Sequence, residues 1–331
     1  MPNRLAALIP TLAGHKILVV GDVILDEYII GWARRMSREA PIPVLEFERE
    51  EHIPGGAANP AMNVAALGSQ ALQVGVIGND GDGERLRRIL HDEGVDPSGL
   101  VADSARPTTK KTRIMAHMGL RFPQQVARID RLYRQAVDGE VEKKIVESIA
   151  TLAAESEAIM VSDYLTGLVT LNVIAAVREA AARHNILTTA DAQGELDKYS
   201  AFDFVKCNAD EASRYVGRPL TGDDDFAATG DSILDRLKLR RGLLITRGPE
   251  GLTMLEPRGQ ALHLPAMHVE DVYDTVGAGD TVLAVMTLAL TASITNNDAA
   301  TLANLAAGIV VRKVGNYAPT PTELLAALNE G

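Results

Sequence analysis

Ala158-Ile159-Met160-Val161 and Ile186-Leu187-Thr188-Thr189-Ala190 bracket the run Leu171 to His184, which reads as a helix. The flanks are short apolar runs, as expected of strands covered on both faces, and the segment between them is long enough for a crossover. Such a strand–helix–strand unit returns its second strand parallel to the first. Outward from it the alternation recurs. Strand Ala71 to Ile77 leads to helix Gly83 to His91; strands follow near Phe204 to Lys206, Leu243 to Thr246 and Thr253 to Leu255, then helices from about Gly279, Asn297 and Thr320. Lys16-Ile17-Leu18-Val19-Val20, ending at Gly21-Asp22, supplies a buried first strand. The expected fold class is α/β, with a doubly wound, mostly parallel sheet.

Two segments break the rhythm. Tyr28 to Trp32 and Pro43 to Glu51 alternate as half-exposed antiparallel strands do, and the second places Val44, Leu45 and Phe47 among Glu46, Glu48 and Arg49. A further β-rich stretch, Thr108 to Ile129, is expected to join them in a small separate sheet, a lid formed by about residues 28–53 and 107–130. Gly55-Gly56 precedes a helix from about Ala57 to Leu67, with Gly68 as its stop. The expectation is one domain over residues 1–331 carrying this lid.

Composition narrows the class. Hydrophobic residues make up 46% and aromatic residues only 4%, so the core must come from aliphatic side chains. A net charge of −11 repels nucleic acid and anionic membrane, so an anionic ligand needs a local, preorganised pocket. Cys207 is the only cysteine, which excludes an intrachain disulfide and a cysteine-rich metal site and fits a reducing compartment. No signal-peptide pattern opens the chain, and apolar runs such as Val282 to Leu290 are too short to span a bilayer, so a cytoplasmic location is expected.

Asp274-Thr275-Val276-Gly277-Ala278-Gly279-Asp280-Thr281 stands directly before the apolar helix Val282 to Leu290. The small residues let a phosphate approach the main chain, and free N–H groups at a helix start form an anion site. Asp280 lies at the same helix start, where the dipole favours its ionised form and fits it to accept a proton. Read alone, the same residues also make a tight turn with an Asp cap.

This run, with Gly55-Gly56-Ala57-Ala58-Asn59 and the helix after it, resembles the two signatures of the ribokinase-like (PfkB) carbohydrate kinases. The resemblance covers nearly the whole chain. It implies an ATP-dependent sugar kinase with Asp280 as catalytic base and Gly277, Ala278 and Gly279 stabilising the transferring phosphoryl group. On the substrate side it implies Asp26, Gly55, Gly56 and Asn59 as sugar contacts, although Asn59 also suits a helix N-cap. On the nucleotide side it implies Asn208 near the phosphates, Glu211 organising Mg²⁺ through water, a phosphate turn at Thr246, Gly248 and Gly251, and an adenine wall at Asn304 and Gly308. Asn208 and Glu211 read equally well as a helix cap. Asp274, with backbone near Thr275 and Gly315, matches the monovalent-cation (K⁺) site of several relatives.

Met36-Ser37-Arg38-Glu39-Ala40-Pro41-Ile42-Pro43-Val44, Ser162-Asp163-Tyr164 and Val272-Tyr273 ahead of the acidic loop are similar to the members acting on D-glycero-β-D-manno-heptose 7-phosphate. That narrower resemblance implies phosphorylation of the anomeric hydroxyl to the 1,7-bisphosphate, on the way to ADP-heptose for the lipopolysaccharide core, with Asp163 near the sugar. With no second domain after Gly331, the stand-alone form is expected. A phosphorylated substrate needs cations, for which the lid offers Arg35, Lys110, Lys111, Arg113 and Arg128, with Lys111, Arg113 and Arg128 preferred. The same residues could serve to blunt exposed strand edges. Asp191-Ala192-Gln193-Gly194 departs from the Asp-Pro-Lys-Gly of such kinases, leaving no lysine at Gln193. Family resemblance also implies a homodimer through the lid sheets.

Two alternatives stay open: a kinase of the same family for another sugar, sugar phosphate or nucleoside, and a non-catalytic sugar-phosphate sensor. A dinucleotide-binding oxidoreductase is disfavoured because Gly21-Asp22-Val23-Ile24-Leu25-Asp26 lacks the G-x-G-x-x-G loop. The seven histidines show no H-E-x-x-H spacing for zinc, and His117 reads as a solvated strand residue.

Overall fold

The structure is a computed structural model describing residues 2–119, 123–267 and 274–330. Val272 and Tyr273, part of the heptose-kinase resemblance, lie outside the described residues.

In chain order, α1 (Pro2–Leu8) precedes β1 (Lys16–Gly21), β2 (Val23–Met36), β3 (Pro43–Gly56), α2 (Ala58–Ala66), β4 (Gln70–Gly78), α3 (Gly81–Asp92) and β5 (Val95–Asp103). Then come β6 (Lys110–His117), β7 (Gln124–Arg131), α4 (Gly139–Ala153), β8 (Ala158–Asp163), α5 (Leu171–His184) and β9 (Leu187–Ala192). The last part runs through β10 (Phe204–Asn208), α6 (Ala209–Val216), α7 (Gly222–Leu237), β11 (Gly242–Thr246), β12 (Leu252–Leu255), β13 (Leu262–Leu264), α8 (Ala278–Thr291), α9 (Asn296–Val310) and α10 (Pro321–Glu330).

Among the described residues one sheet runs β13-β12-β11-β10-β9-β8-β1-β4-β5, parallel except at β12 and β13. The doubly wound expectation therefore holds. Order reverses at β1, which pairs with β4 on one side and β8 on the other. In open α/β sheets such a reversal opens a crevice at the carboxyl ends of the strands. Here it lies beside Gly21 and Asp163. A core cluster lies on each face of the sheet, one containing residues of α2, α8, α9 and α10, the other residues of α4, α5 and α7. Helix α8 is buried from Asp280 to Leu290, because it is apolar all round and sealed between the sheet, α2 and α9.

The second sheet, β3-β2-β6-β7, is the expected lid. Its strands β2 and β3 reach further than expected, each spanning 14 residues and entering the crevice. Asp26 is thus a lid residue, and Gly55-Gly56 end β3 rather than punctuating a loop. Helix α1, strands β5 and β13 and helices α4 and α7 were not foreseen, whereas α6 starts at the Asn208 cap that the sequence also allowed; in α7 the apolar stripe is interrupted by Gly230, whose missing side chain makes room for Leu255. Among the described residues no helix is long and apolar enough to cross a membrane.

Candidate active site

Gly277 caps α8 in the left-handed region at φ 81°, and a Cβ there would lie 2.8 Å from Asn59 Nδ2 and 3.0 Å from Asn316 Oδ1. Only glycine meets both demands. Helix geometry leaves first-turn amides without intrahelical acceptors, an arrangement suited to an anion, and here the Ala278 N–H is taken by the Thr275 carbonyl at 3.4 Å. Asp280 is the third residue of the helix, not its cap, which removes the simple turn-and-cap reading.

The Asp280 carboxylate is buried and accepts hydrogen bonds from Asn59 Nδ2 at 2.8 Å and from the Tyr164 hydroxyl at 2.8 and 3.0 Å. Burial, then the charge of Asp191, push it up to about 6; the hydrogen bonds from Asn59 and Tyr164, and the Lys206 charge, oppose this. The expectation that the helix start alone would keep it ionised is therefore corrected. Burial outweighs the dipole, yet the group is still mostly carboxylate at neutral pH. Asn59 lies inside α2 rather than at its cap, and Asn63 accepts from the Thr281 hydroxyl at 2.8 Å, so α2 and α8 are stitched together beside Asp280.

Lys206, on β10, donates to Asp191 Oδ2 at 2.7 Å, and both side chains are buried. Its ammonium lies beside Gly279, 2.8 Å from where a Cβ would stand. A cation is thereby fixed at the edge of the anion site. Asp191 Oδ1 is buried without a hydrogen-bond partner among the described residues. Burial raises Glu211, and Asp191 adds to the shift. Glu211 and Asn208 form a full capping box at α6, with Glu211 Oε2 taking the Asn208 N–H at 2.7 Å and Asn208 Oδ1 taking the Glu211 N–H at 2.8 Å. Among the described residues no group of three or more His, Cys, Asp or Glu is placed to hold a metal alone.

Asp26 accepts from Arg113 at 2.5 Å and from Asn316 Nδ2 at 2.7 Å. A Cβ on Gly55 would stand 2.1 Å from Asp26 Oδ2, so the glycine makes room for that carboxylate. Gly56, at φ 58°, closes the lid strand. Of the basic lid residues, Arg113 and Arg128 are register partners on β6 and β7 and both act on Lys111, although most of the group is also engaged with acids. Arg113 is committed to Asp26, and Arg128 is exposed and paired with Asp130 at 2.8 and 3.0 Å. Lys110 is bound to Glu27 and Asp82. Arg35 is exposed near the far end of β2, about 30 Å along an extended strand from Asp26. Lys111 remains: its ammonium lies 5.3 Å over the Tyr164 ring, and burial holds it below the usual lysine range.

Asp163 departs from its expected role. Its carboxylate accepts from Lys198 at 3.0 Å, the Tyr199 hydroxyl at 2.8 Å and the Leu165 N–H at 2.9 Å, so it builds the protein rather than facing a sugar. On the nucleotide side, Asn208 and Thr246 are register partners at the ends of β10 and β11. Gly248 and Gly251 turn at φ 56° and 90°, Asn304 donates to the Pro265 carbonyl at 2.8 Å, and Gly308 is buried on α9. Asp274 accepts from the Val276 and Gly315 amides at 3.0 and 2.9 Å, bringing the expected cation-site loops together.

Sequence reading missed Tyr164, Asn316 and the Lys206–Asp191 pair as parts of this site. Lys206 did carry a signal, because a lysine within an apolar parallel strand needs a buried partner. Asn316 carried none, being 290 residues from Asp26.

A family model for pfkB family carbohydrate kinases matches residues 15–323. The bifunctional protein HldE of Citrifermentans bemidjiense is 38% identical over 317 residues, covering 96% of this chain and 64% of that protein. HldE of Caulobacter sp. is 40% identical over 333 residues, covering 98% and 65%. The chain thus spans less than two thirds of these relatives. The fold is similar to Arabidopsis thaliana ribokinase complexed with ribose and ATP, with TM-score 0.72, 18% identity and coverage of 96% and 99%. It is also similar to phosphofructokinase-2 from Escherichia coli in complex with substrates and products, with TM-score 0.77, 20% identity and coverage of 96% and 98%.

Proposed function

Because the chain belongs to the pfkB family of carbohydrate kinases, and so is a sugar kinase, we propose that it transfers the γ-phosphoryl group of ATP to the anomeric hydroxyl of D-glycero-β-D-manno-heptose 7-phosphate, giving the 1,7-bisphosphate. The observation that carries the phosphoryl-transfer part is the buried Asp280 carboxylate at the start of α8, beside the first-turn amides and the Lys206 ammonium. The heptose part rests on the lid and crevice motifs, and Lys111, with Arg113 and Arg128 beside it, is proposed to meet the substrate's own phosphate.

In this reading Asp280 takes the proton of the sugar hydroxyl as its oxygen attacks phosphorus, and the first-turn amides of α8 meet the charge developing on the transferring group. Lys206, held by Asp191, adds a fixed positive charge at that point. Asp26, oriented by Arg113 and Asn316, accepts sugar hydroxyls; Gly55 and Gly56 let the sugar approach the backbone. Asn208, Thr246, Gly248, Gly251, Asn304 and Gly308 line the ATP side.

The free oxygen of Asp191 and the buried Glu211 fit Mg²⁺, a hard cation that prefers oxygen ligands and retains waters. When bound, Mg²⁺ would screen the phosphate charges. The Asp274 carboxylate, which accepts the Val276 and Gly315 amides, draws together the loops at which a K⁺ site is proposed. We also propose a cytoplasmic homodimer joined through the lid, where Phe47 and Ile129 are 67% and 63% exposed.

The test is ATP consumption with the two anomers of heptose 7-phosphate beside ribose and fructose phosphates and unphosphorylated sugars. Preferred use of the β anomer with bisphosphate as product supports the reading. Equal or better use of ribose or fructose phosphates overturns the substrate assignment, and no ATP consumption with any sugar favours a sensor.

A further inference from the structure

Strand β8 ends at the crevice beside β1, and the residue that follows it, Tyr164, sends its hydroxyl across to Asp280. At 2.8 Å from Oδ1 and 3.0 Å from Oδ2, that hydroxyl bridges both oxygens of the carboxylate. Asn59 supplies the other direct donor, to Oδ2. The contact links residues 116 positions apart and is made by a short loop rather than a regular element.

The loop is held with unusual care. Asp22, at the end of β1, accepts the N–H groups of Tyr164 at 2.9 Å, Thr166 at 3.1 Å and Leu168 at 3.0 Å. Asp163 accepts that of Leu165 at 2.9 Å. Leu165 itself adopts φ 55°, which a branched side chain tolerates only where its surroundings impose it. Two buried carboxylates thus fix a strained turn whose outcome is the position of one phenol. The ring of that phenol also lies under Lys111 of the lid.

We propose that Tyr164 is a positioning residue for the base: its hydroxyl orients the Asp280 carboxylate and stabilises its charge, and Asp22 anchors the loop that places it. This rests on Asp280 being the base. The charged groups facing Asp280 are Asp191 from β9 and Lys206 from β10, while α2 contributes only the neutral Asn59. Lys111 faces the Tyr164 ring from β6, and Asp26 acts on the phenol from β2. Without the hydroxyl, the carboxylate loses one of its two direct donors among the described residues while burial and Asp191 still act against its charge.

The experiment is the pH dependence of sugar phosphorylation by Tyr164→Phe, run with whichever sugar the wild type turns over best. The acid limb of kcat/KM is expected to move up by about one pH unit, a roughly fivefold loss near pH 6 that shrinks to about twofold near pH 7 and disappears near pH 8. Replacing Tyr164 with 3-fluorotyrosine, a stronger donor of the same shape, should move the limb down, and this second variant decides the matter if Tyr164→Phe folds poorly. A limb left at the wild-type pH in the folded variants, however large the overall loss, overturns the inference. Full turnover by Asp280→Asn would instead overturn the base assignment on which it rests.

Discussion

The guanidinium of Arg113 and the carboxylate of Asp26 form a buried ion pair across adjacent lid strands, with Asn316 completing the carboxylate's partners. Each had been expected to meet substrate separately. Their pairing makes Arg113 a device that orients Asp26, and it links the lid to the segment after α9 through Asn316.

Removing either partner leaves a buried charge uncompensated. Asp26→Ala and Arg113→Ala should each destabilise the protein by about 3–5 kcal/mol and raise the sugar KM, and the double variant should lose less than the sum. Denaturant unfolding of the four proteins tests this. Strictly additive losses would mean that the two groups do not act as a unit.

Asp280 has a cost to stability as well as a role. Pushed up to about 6, it binds its proton more readily in the folded protein than in the unfolded chain. Its charge therefore disfavours folding above about pH 6, and the penalty is relieved as pH falls from about 6 toward 4. Asp280→Asn should lose a hundredfold to ten-thousandfold or so in kcat while gaining about 1–3 kcal/mol of stability at pH 8. That gain should vanish near pH 4. Unfolding at both pH values, with single-turnover kinetics, provides the check, and a gain of equal size at pH 4 would contradict it.

Glu211 has a capping role and a proposed metal role, and one substitution separates them. Glutamine can accept the same N–H bond from Asn208, so Glu211→Gln should leave stability within about 0.5 kcal/mol. If Glu211 organises Mg²⁺, the concentration needed for half-maximal rate should rise about tenfold or more. A magnesium titration that overlays the wild type would leave the residue as a cap alone.

The lid surface carries the dimer proposal. Phe47→Glu combined with Ile129→Glu should convert a dimer to a monomer in sedimentation or light scattering, because both side chains are exposed and apolar. A wild type that is already monomeric at micromolar concentration would remove the proposal.

Much of the fold was legible because its signals are local. The helix Leu171 to His184 coincides with α5, and each expected strand of the main sheet corresponds to an observed one within a few residues. The lid was readable from the alternation of Glu46, Glu48 and Arg49 with their apolar neighbours, although not its length. A strand that leaves solvent for a crevice loses its alternation, as Val23, Ile24, Leu25 and Asp26 do. The acidic loop before α8 was legible for the same reason as the strands: its glycines, its acid and the apolar helix are contiguous.

What the chain order could not convey was which polar groups would be used up by one another. Motif and spacing determined the α/β fold, the family and the place of Asp280, since these depend on backbone conformation and on residues within one helical turn. Only the tertiary structure decided that Arg113 is bound to Asp26, that Asp163 faces Lys198 and Tyr199, and that Tyr164 and Lys206 attend Asp280. Those pairings join residues from 15 to 116 positions apart, and burial compels each polar group to find a partner wherever the sheet brings one.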